Sequence, residues 1–146
     1  MINDLKEFFK KFKDCNVTFI NSEYVTDLKT IKFGVRKALK SWREGRNVAK
    51  TLPIEVLLYI AARRQINEAL EIGVKEGKNE VVAILIDNCI DILKELGFVE
   101  KKFIPKPNIK KILRFYDIKD EELKIVGIEK LPLLIRERIV LFDISK

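Results

Sequence analysis

The segment from Pro53 to Gly73 constrains the fold most, because it is an apolar stretch bounded by a helix start and a helix stop. Pro53 fits the first turn of a helix, where its missing N–H would have no intrahelical partner, and Gly73 is a typical residue at a helix end. At 100° per residue, one face collects Ile54, Leu58, Ala61, Ala69 and Ile72, and the other side of the first half carries Val56, Tyr59 and Ile60. A helix that is apolar nearly all round is buried on both sides. The sequence therefore predicts a central buried helix near 53–73.

Gln65 interrupts the main apolar face of this predicted helix. A buried amide needs hydrogen-bond partners. Two interpretations follow: Gln65 hydrogen-bonds to a neighbouring loop, or it belongs to the signature of a protein family.

The remaining patterns predict an α/β (α+β) fold in a single domain, 1–146, with a small mixed or antiparallel sheet of about four strands packed by helices. The predicted strands are Asn16–Ile20, Glu80–Ile86 (buried), Phe98–Ile104 (an edge strand) and Ile139–Ile144 (pairing with Glu80–Ile86).

Six further helices are predicted from apolar spacing and capping residues. They are Asn3–Lys13 (capped by Asn3 or Asp4), Asp27–Arg43, a helix capped by Asp87 or Asn88 and ending at Leu96, Asn108–Phe115, Asp117–Val126 and Glu129–Arg136. The carboxylates of Asp120, Glu121 and Glu122 lie where a helix dipole favours them, so we interpret them as helix-start residues and not as an active site.

Five cations recur on one face of the helix Asp27–Arg43, with no carboxylate between them: Lys29, Lys32, Arg36, Lys40 and Arg43. Such a run is often only a solvated face, but it is also the pattern expected of a surface that follows a phosphate backbone. The net charge of +7 favours a polyanionic partner. The high Lys, Glu and Ile content is also typical of proteins from thermophilic or AT-rich sources, which weakens that argument.

The sequence offers no constellation for catalysis, so we expect no enzyme. It has no His, its glycines are scattered, and no serine lies in a nucleophile elbow. We therefore expect no catalytic residue, metal site or cofactor. Cys15 and Cys89 form no C-x-x-C motif and are interpreted as core thiols in a reducing cytoplasm. The apolar runs are too short for a membrane span.

The order of residues around the central helix resembles the PRPK-binding protein (TPRKB) family, the small accessory subunit of the KEOPS (EKC) complex, in its archaeal type. The matching positions are Ala38, Asn47, Ala49, Glu55, Leu57, Ala61, Ala62, Gln65, Ile66, Glu68, Ala69 and Gly73. The chain departs from the family in an atypical N-terminal helix within residues 1–13 and in a possible insertion at 117–127.

This resemblance implies a non-catalytic subunit that binds the small atypical kinase of the complex (PRPK or Bud type) and tRNA, including its 3′ CCA end. It would support formation of N6-threonylcarbamoyladenosine in the cytoplasm, with no small-molecule substrate of its own. From the charge pattern we expect RNA contacts from Arg36, Lys40, Arg43, Arg46, Lys50 and Arg63. For the kinase contact we single out Leu131, Leu133 and Leu134.

The alternative hypothesis is a basic nucleic-acid-binding domain unrelated to KEOPS. It explains the charge equally well, but it does not explain the ordered series of signature residues. Arg64 lies one helical turn before Glu68, so a surface ion pair explains it. Arg63 has no acidic residue at i+4. Two interpretations of Arg63 therefore stay open: a solvated side chain and an RNA contact.

Overall fold

In a computed structural model that describes residues 1–12, 14–87 and 89–146, the chain forms one α/β domain. The elements, in order, are α1 (Leu5–Lys10), β1 (Val17–Asn21), α2 (Leu28–Arg43), α3 (Leu52–Ala61), α4 (Ile66–Ala69), β2 (Val81–Leu85), α5 (Ile90–Glu95), α6 (Ile109–Phe115), α7 (Asp120–Val126) and α8 (Leu131–Ser145). Short 3₁₀ turns occupy Ser22–Tyr24, Leu70–Ile72 and Ile128–Lys130.

The sheet has two antiparallel strands, β1 and β2, in a register that pairs Phe19 with Ala83. Because side chains alternate across a strand, the sheet separates two cores. Ile20, Val82 and Ile84 face the larger core with α2, α3, α6 and α8. Phe19 and Leu85 face a smaller, aromatic core with Phe8 and Phe12.

The predicted α/β class agrees with this architecture, but the described residues form two strands where about four were predicted. Phe98–Ile104 is an irregular segment, whose Phe98 and Phe103 pack against different cores. Ile139–Ile144 lies inside α8, where Leu131, Ile135, Ile139 and Phe142 are buried at helical spacing. The β-branched residues of this run favour a strand. The strand prediction is wrong because burial against α2 and α3 outweighs β propensity. β2 itself is half-exposed along its length, not buried as predicted.

The central helix is shorter than predicted, because α3 ends at Ala61 and Ala62 adopts the left-handed conformation (φ 52°, ψ 41°). The amide of Ala62 donates to Tyr59 O and that of Arg63 to Leu58 O, which satisfies the last carbonyls of the helix. The chain resumes as α4 in a new direction, with Gln65 exposed at its N-cap. Gln65 is therefore not a buried amide on an apolar face.

The first half of the predicted central helix is confirmed as the centre of the larger core. Residues 55–61 of α3 are all buried. Gly34 of α2 lies against Ile60 so closely that a Cβ there would meet Ile60 Cγ1 at 2.9 Å. Gly34 thus lets α2 and α3 approach each other.

Two predicted helix caps, Asp4 and Asn108, are confirmed, and Asp27 caps a third helix. Asp4, Asp27 and Asn108 accept hydrogen bonds from backbone amides of α1, α2 and α6. The N-terminal helix is shorter than predicted, and Lys13 lies outside the described residues. Asp87 caps no helix, since its carboxylate accepts from Asn16, and Asn88, the other candidate, also lies outside the described residues.

The prediction that the two cysteines are free core thiols is wrong, because they form a disulfide. Cys15 and Cys89 lie 74 positions apart in sequence, with their Cα atoms 6.1 Å apart. The bond links the end of the α1 region to the start of α5 beside the smaller core. The two positions meet only through the β1–β2 pairing, which is why sequence spacing alone did not indicate it.

Candidate functional site

The five predicted cations of α2 lie on its solvent-facing side. Lys29, Lys32, Arg36, Lys40 and Arg43 are all exposed. Among the residues that the structure describes, none of the five takes part in an ion pair. The neighbouring Lys37, which the charge pattern had not singled out, turns instead toward Asp143, at 3.9 Å. The stripe along α2 is therefore an uncompensated positive surface about 20 Å long.

The loop 46–51 continues this surface and is held in place by a buried carboxylate. Glu55 is fully buried and accepts hydrogen bonds from the amides of Val48 (3.0 Å) and Ala49 (2.9 Å) and from Ser41 Oγ (3.0 Å). Within the loop, Asn47 Nδ2 donates a hydrogen bond to the carbonyl of Ala49 (2.8 Å). Glu55, which the sequence analysis named only among the positions that resemble the family, thus fixes the loop that joins α2 to α3.

Arg46 and Lys50 occupy the two ends of this loop and are both exposed. Arg46 is partly neutralised, since its Nε lies 3.0 Å from Glu44 and its Nη2 lies 3.7 Å from Asp143. The hydrogen bond to Glu44 raises the pKa of Arg46. Lys50 has no ion-pair partner within the described part of the chain.

A polar cluster under the loop ties the end of α8 to α2 and α3. Asp143 accepts from Tyr59 Oη and lies within 4 Å of Lys37, Arg46 and Lys146. Burial alone would raise the pKa of Asp143, but the hydrogen bond from Tyr59 and the three cations outweigh it and lower that pKa. Burial raises the pKa of the Tyr59 hydroxyl. The sequence had not indicated this cluster, because its members lie up to 109 positions apart.

Arg63 and Arg64 are arranged differently from the prediction, because the helix ends before them. Arg63 pairs with Glu68 (3.2 Å), donates to the carbonyl of Phe115 and lies over the Phe115 ring. Arg64 is exposed and makes no ion pair with Glu68 within the described residues. The predicted i,i+4 pair is wrong, and Arg63 is already engaged inside the protein.

The acidic residues Asp120, Glu121 and Glu122 lie in the first turn of α7, as predicted. Glu122 has a second role, since Arg138 of α8 forms a bidentate pair with it (2.9 and 3.1 Å). This pair lowers the pKa of Glu122 and raises that of Arg138. It fastens α7 to α8 and has no arrangement suggesting acid–base chemistry.

Only one of the three leucines predicted for partner binding faces solvent. Leu131 and Leu134 lie in the larger core at 1% and 7% exposure, whereas Leu133 is 50% exposed. Sequence analysis missed three exposed apolar residues just before them: Ile125, Val126 and Ile128. We call Ile125, Val126, Ile128 and Leu133 the apolar patch.

In residues 1–12, 14–87 and 89–146, no three His, Cys, Asp or Glu side chains cluster as a metal site would require. Over the same residues, none of the helices has the length and hydropathy that crossing a membrane requires.

Comparison with known proteins gives two matches. Residues 2–141 match a family model described as kinase binding protein CGI-121. Over 78 residues the chain is 35% identical to the KEOPS complex subunit Cgi121 of Pyrococcus abyssi (strain GE5 / Orsay). That stretch covers 50% of this chain and 46% of the relative, so the alignment spans about half the length of each.

Proposed function

The chain belongs to the family of kinase binding protein CGI-121, and from this premise we propose that it is a non-catalytic KEOPS subunit that binds the small kinase of the complex and tRNA. The observation that carries the proposal is the family match over residues 2–141, supported by the similarity to a KEOPS subunit. The match also confirms the family resemblance, and it disfavours a basic domain unrelated to KEOPS.

The proposed role is support of N6-threonylcarbamoyladenosine formation in tRNA, with the chemistry carried out by other subunits. We propose a cytoplasmic location. Disulfides are rare in the cytosol of mesophiles but occur widely inside hyperthermophiles. The Cys15–Cys89 bond is compatible with this location if the source is thermophilic, as the Lys- and Glu-rich composition suggests.

For tRNA we propose that phosphates bind along α2 and the loop 46–51, through Arg36, Lys40, Arg43, Lys50 and, in part, Arg46. All five are exposed, and four of them lack ion pairs in the described chain. Arg63 contributes least, because Glu68 and Phe115 already engage its guanidinium. The segment 117–127 remains a proposed insertion outside this surface.

Charge reversal tests this surface directly. The double variant Arg36→Glu, Lys40→Glu is expected to weaken tRNA binding by about tenfold or more at low salt. The slope of log Kd against log salt should fall by about 2, as expected for the loss of two phosphate contacts. Filter binding at two or more salt concentrations measures both, with intact tRNA and tRNA lacking its 3′ CCA compared in parallel. The control Lys101→Glu, Lys102→Glu makes the same charge change on an exposed segment elsewhere. Equal losses of tRNA affinity in both variants would show that the effect comes from net charge and not from this surface.

For the kinase we propose the apolar patch, which includes Leu133 but not the buried Leu131 and Leu134. An exposed apolar group of this kind is typical of a protein-binding surface. Leu133→Glu is expected to abolish co-elution with the kinase while the circular dichroism spectrum stays native, since the side chain is half-exposed.

Val99→Glu is the matched control, because Val99 is exposed (79%) but lies outside the apolar patch. It should leave co-elution intact. If Leu133→Glu still co-elutes with the kinase, the contact lies elsewhere on the protein.

A further inference from the structure

Strand β2 has an open edge that lacks the features that usually protect one. Along one side it pairs with β1, and no other strand of the described residues covers its second side. Edge strands usually carry a Lys, a Pro or a bulge that discourages pairing with another chain. β2 consists of Val81, Val82, Ala83, Ile84 and Leu85, all half-exposed, and has none of these features.

The register identifies which backbone groups face the open side. Hydrogen bonds from Ser22 N to Glu80 O (3.0 Å) and from Ile86 N to Asn16 O (2.9 Å) mark the two ends of the ladder. Bonded and non-bonded pairs alternate along an antiparallel ladder, so Val82 and Ile84 bond to β1. The N–H and C=O groups of Val81, Ala83 and Leu85 therefore point outward.

A groove of about 530 Å³ lies beside this edge, between β2 and α2. Its apolar wall is formed by Leu28, Ile31, Val35, Val82 and Ile84. Leu28 is 38% exposed at this wall. An extended segment bonded to the edge would direct alternate side chains into such a groove.

The charges around the groove favour an acidic occupant. Lys32 and Arg36 line it, Lys29 is nearby on the same helix face, and none of the three is ion-paired within the described chain. The carboxylates nearest in sequence, Glu80 and Asp87, flank the ends of β2, and Asp87 already accepts hydrogen bonds from Asn16. A second copy of this chain would bring two such cationic walls together, which opposes self-pairing.

We propose that this α2–β2 groove binds an extended acidic segment of a partner protein, which adds to the sheet as a third strand beside β2. The backbone of Val81, Ala83 and Leu85 supplies the hydrogen bonds. The apolar wall takes every second side chain, and Lys32 and Arg36 pair with acidic residues of the segment. This surface is separate from the apolar patch and does not depend on the KEOPS assignment, although it shares Arg36 with the proposed RNA surface.

The test is fluorescence anisotropy with a labelled peptide of alternating Val and Glu, titrated with the full-length protein. Saturable binding is expected, and it should be lost when alternate peptide amides are N-methylated or when Lys replaces Glu. Ala83→Pro removes an outward N–H without removing a bond to β1, so it should weaken binding about tenfold while the fold is kept. Lys32→Glu should weaken binding to a similar extent, and Lys101→Glu is its charge-matched control.

Amide exchange measured by NMR gives a site-specific outcome that does not depend on a variant folding. Val81, Ala83 and Leu85 should exchange rapidly in the free protein and become protected with the peptide. Equal binding of the N-methylated peptide would overturn strand addition. A dimer in sedimentation experiments that Ala83→Pro dissociates would identify a second copy as the occupant and overturn the acidic partner.

Discussion

Reduction of the Cys15–Cys89 disulfide is expected to lower the free energy of unfolding by about 4 kcal/mol. The bond closes a loop across a sequence separation of 74 residues, so it removes much conformational freedom from the unfolded chain. Guanidinium unfolding with and without reductant measures the difference. The smaller core beside the bond should open first, seen as faster amide exchange around Phe8 and Phe19 than around Leu58.

The double variant Cys15→Ala, Cys89→Ala is the control, because it should unfold like the reduced protein and show no response to reductant. Thiol titration of the denatured, unreduced protein should detect no free thiol. Coincident unfolding curves for oxidised and reduced protein would show that the bond contributes nothing to stability. Two free thiols in the untreated protein would show that it does not form in solution.

Local chemistry made several elements predictable. The spacing of apolar residues and the cap Asp27 define α2 within about one residue, and Asn108 defines the start of α6 in the same way. The exposed basic stripe follows from the same periodicity, since its members share a face that the buried residues of α2 do not occupy. These features depend on residues within a few positions of one another, which sequence patterns report well.

The prediction errors arise where contacts between residues distant in sequence determine the secondary structure. Ala62 ends α3 although alanine favours helices, because the left-handed turn there lets α4 take another direction. Ile139–Ile144 has the β-branched composition of a strand, yet it forms part of α8 by packing against α2 and α3. The first difference bears on the site, because α3 ends before Arg63 and Arg63 pairs with Glu68.

Replacement of Glu55 is expected to be the most damaging single change to the larger core and to the proposed RNA surface together. Glu55→Ala leaves two backbone amides and Ser41 Oγ without their acceptor in a buried site, and Lys146 Nζ, 4.0 Å away, loses a counter-charge. Losing one partner of such a buried charged network typically costs about 3 to 5 kcal/mol. Urea unfolding measures this loss against the unmodified protein.

The loop 46–51 should loosen even where the domain stays folded, because Glu55 alone accepts from both Val48 and Ala49. Trypsin at low temperature should then cleave after Arg46 and Lys50 much faster in Glu55→Ala than in the unmodified protein. Glu55→Gln keeps the shape and one acceptor oxygen, so its loss of stability and its cleavage rate should be intermediate. Glu71→Ala also removes a carboxylate that accepts hydrogen bonds, from Tyr24 Oη and Arg114, but it lies away from the loop and should leave the loop resistant. Unchanged cleavage in Glu55→Ala would mean that the loop is held by its own turn and by Asn47, and that Glu55 serves the core alone.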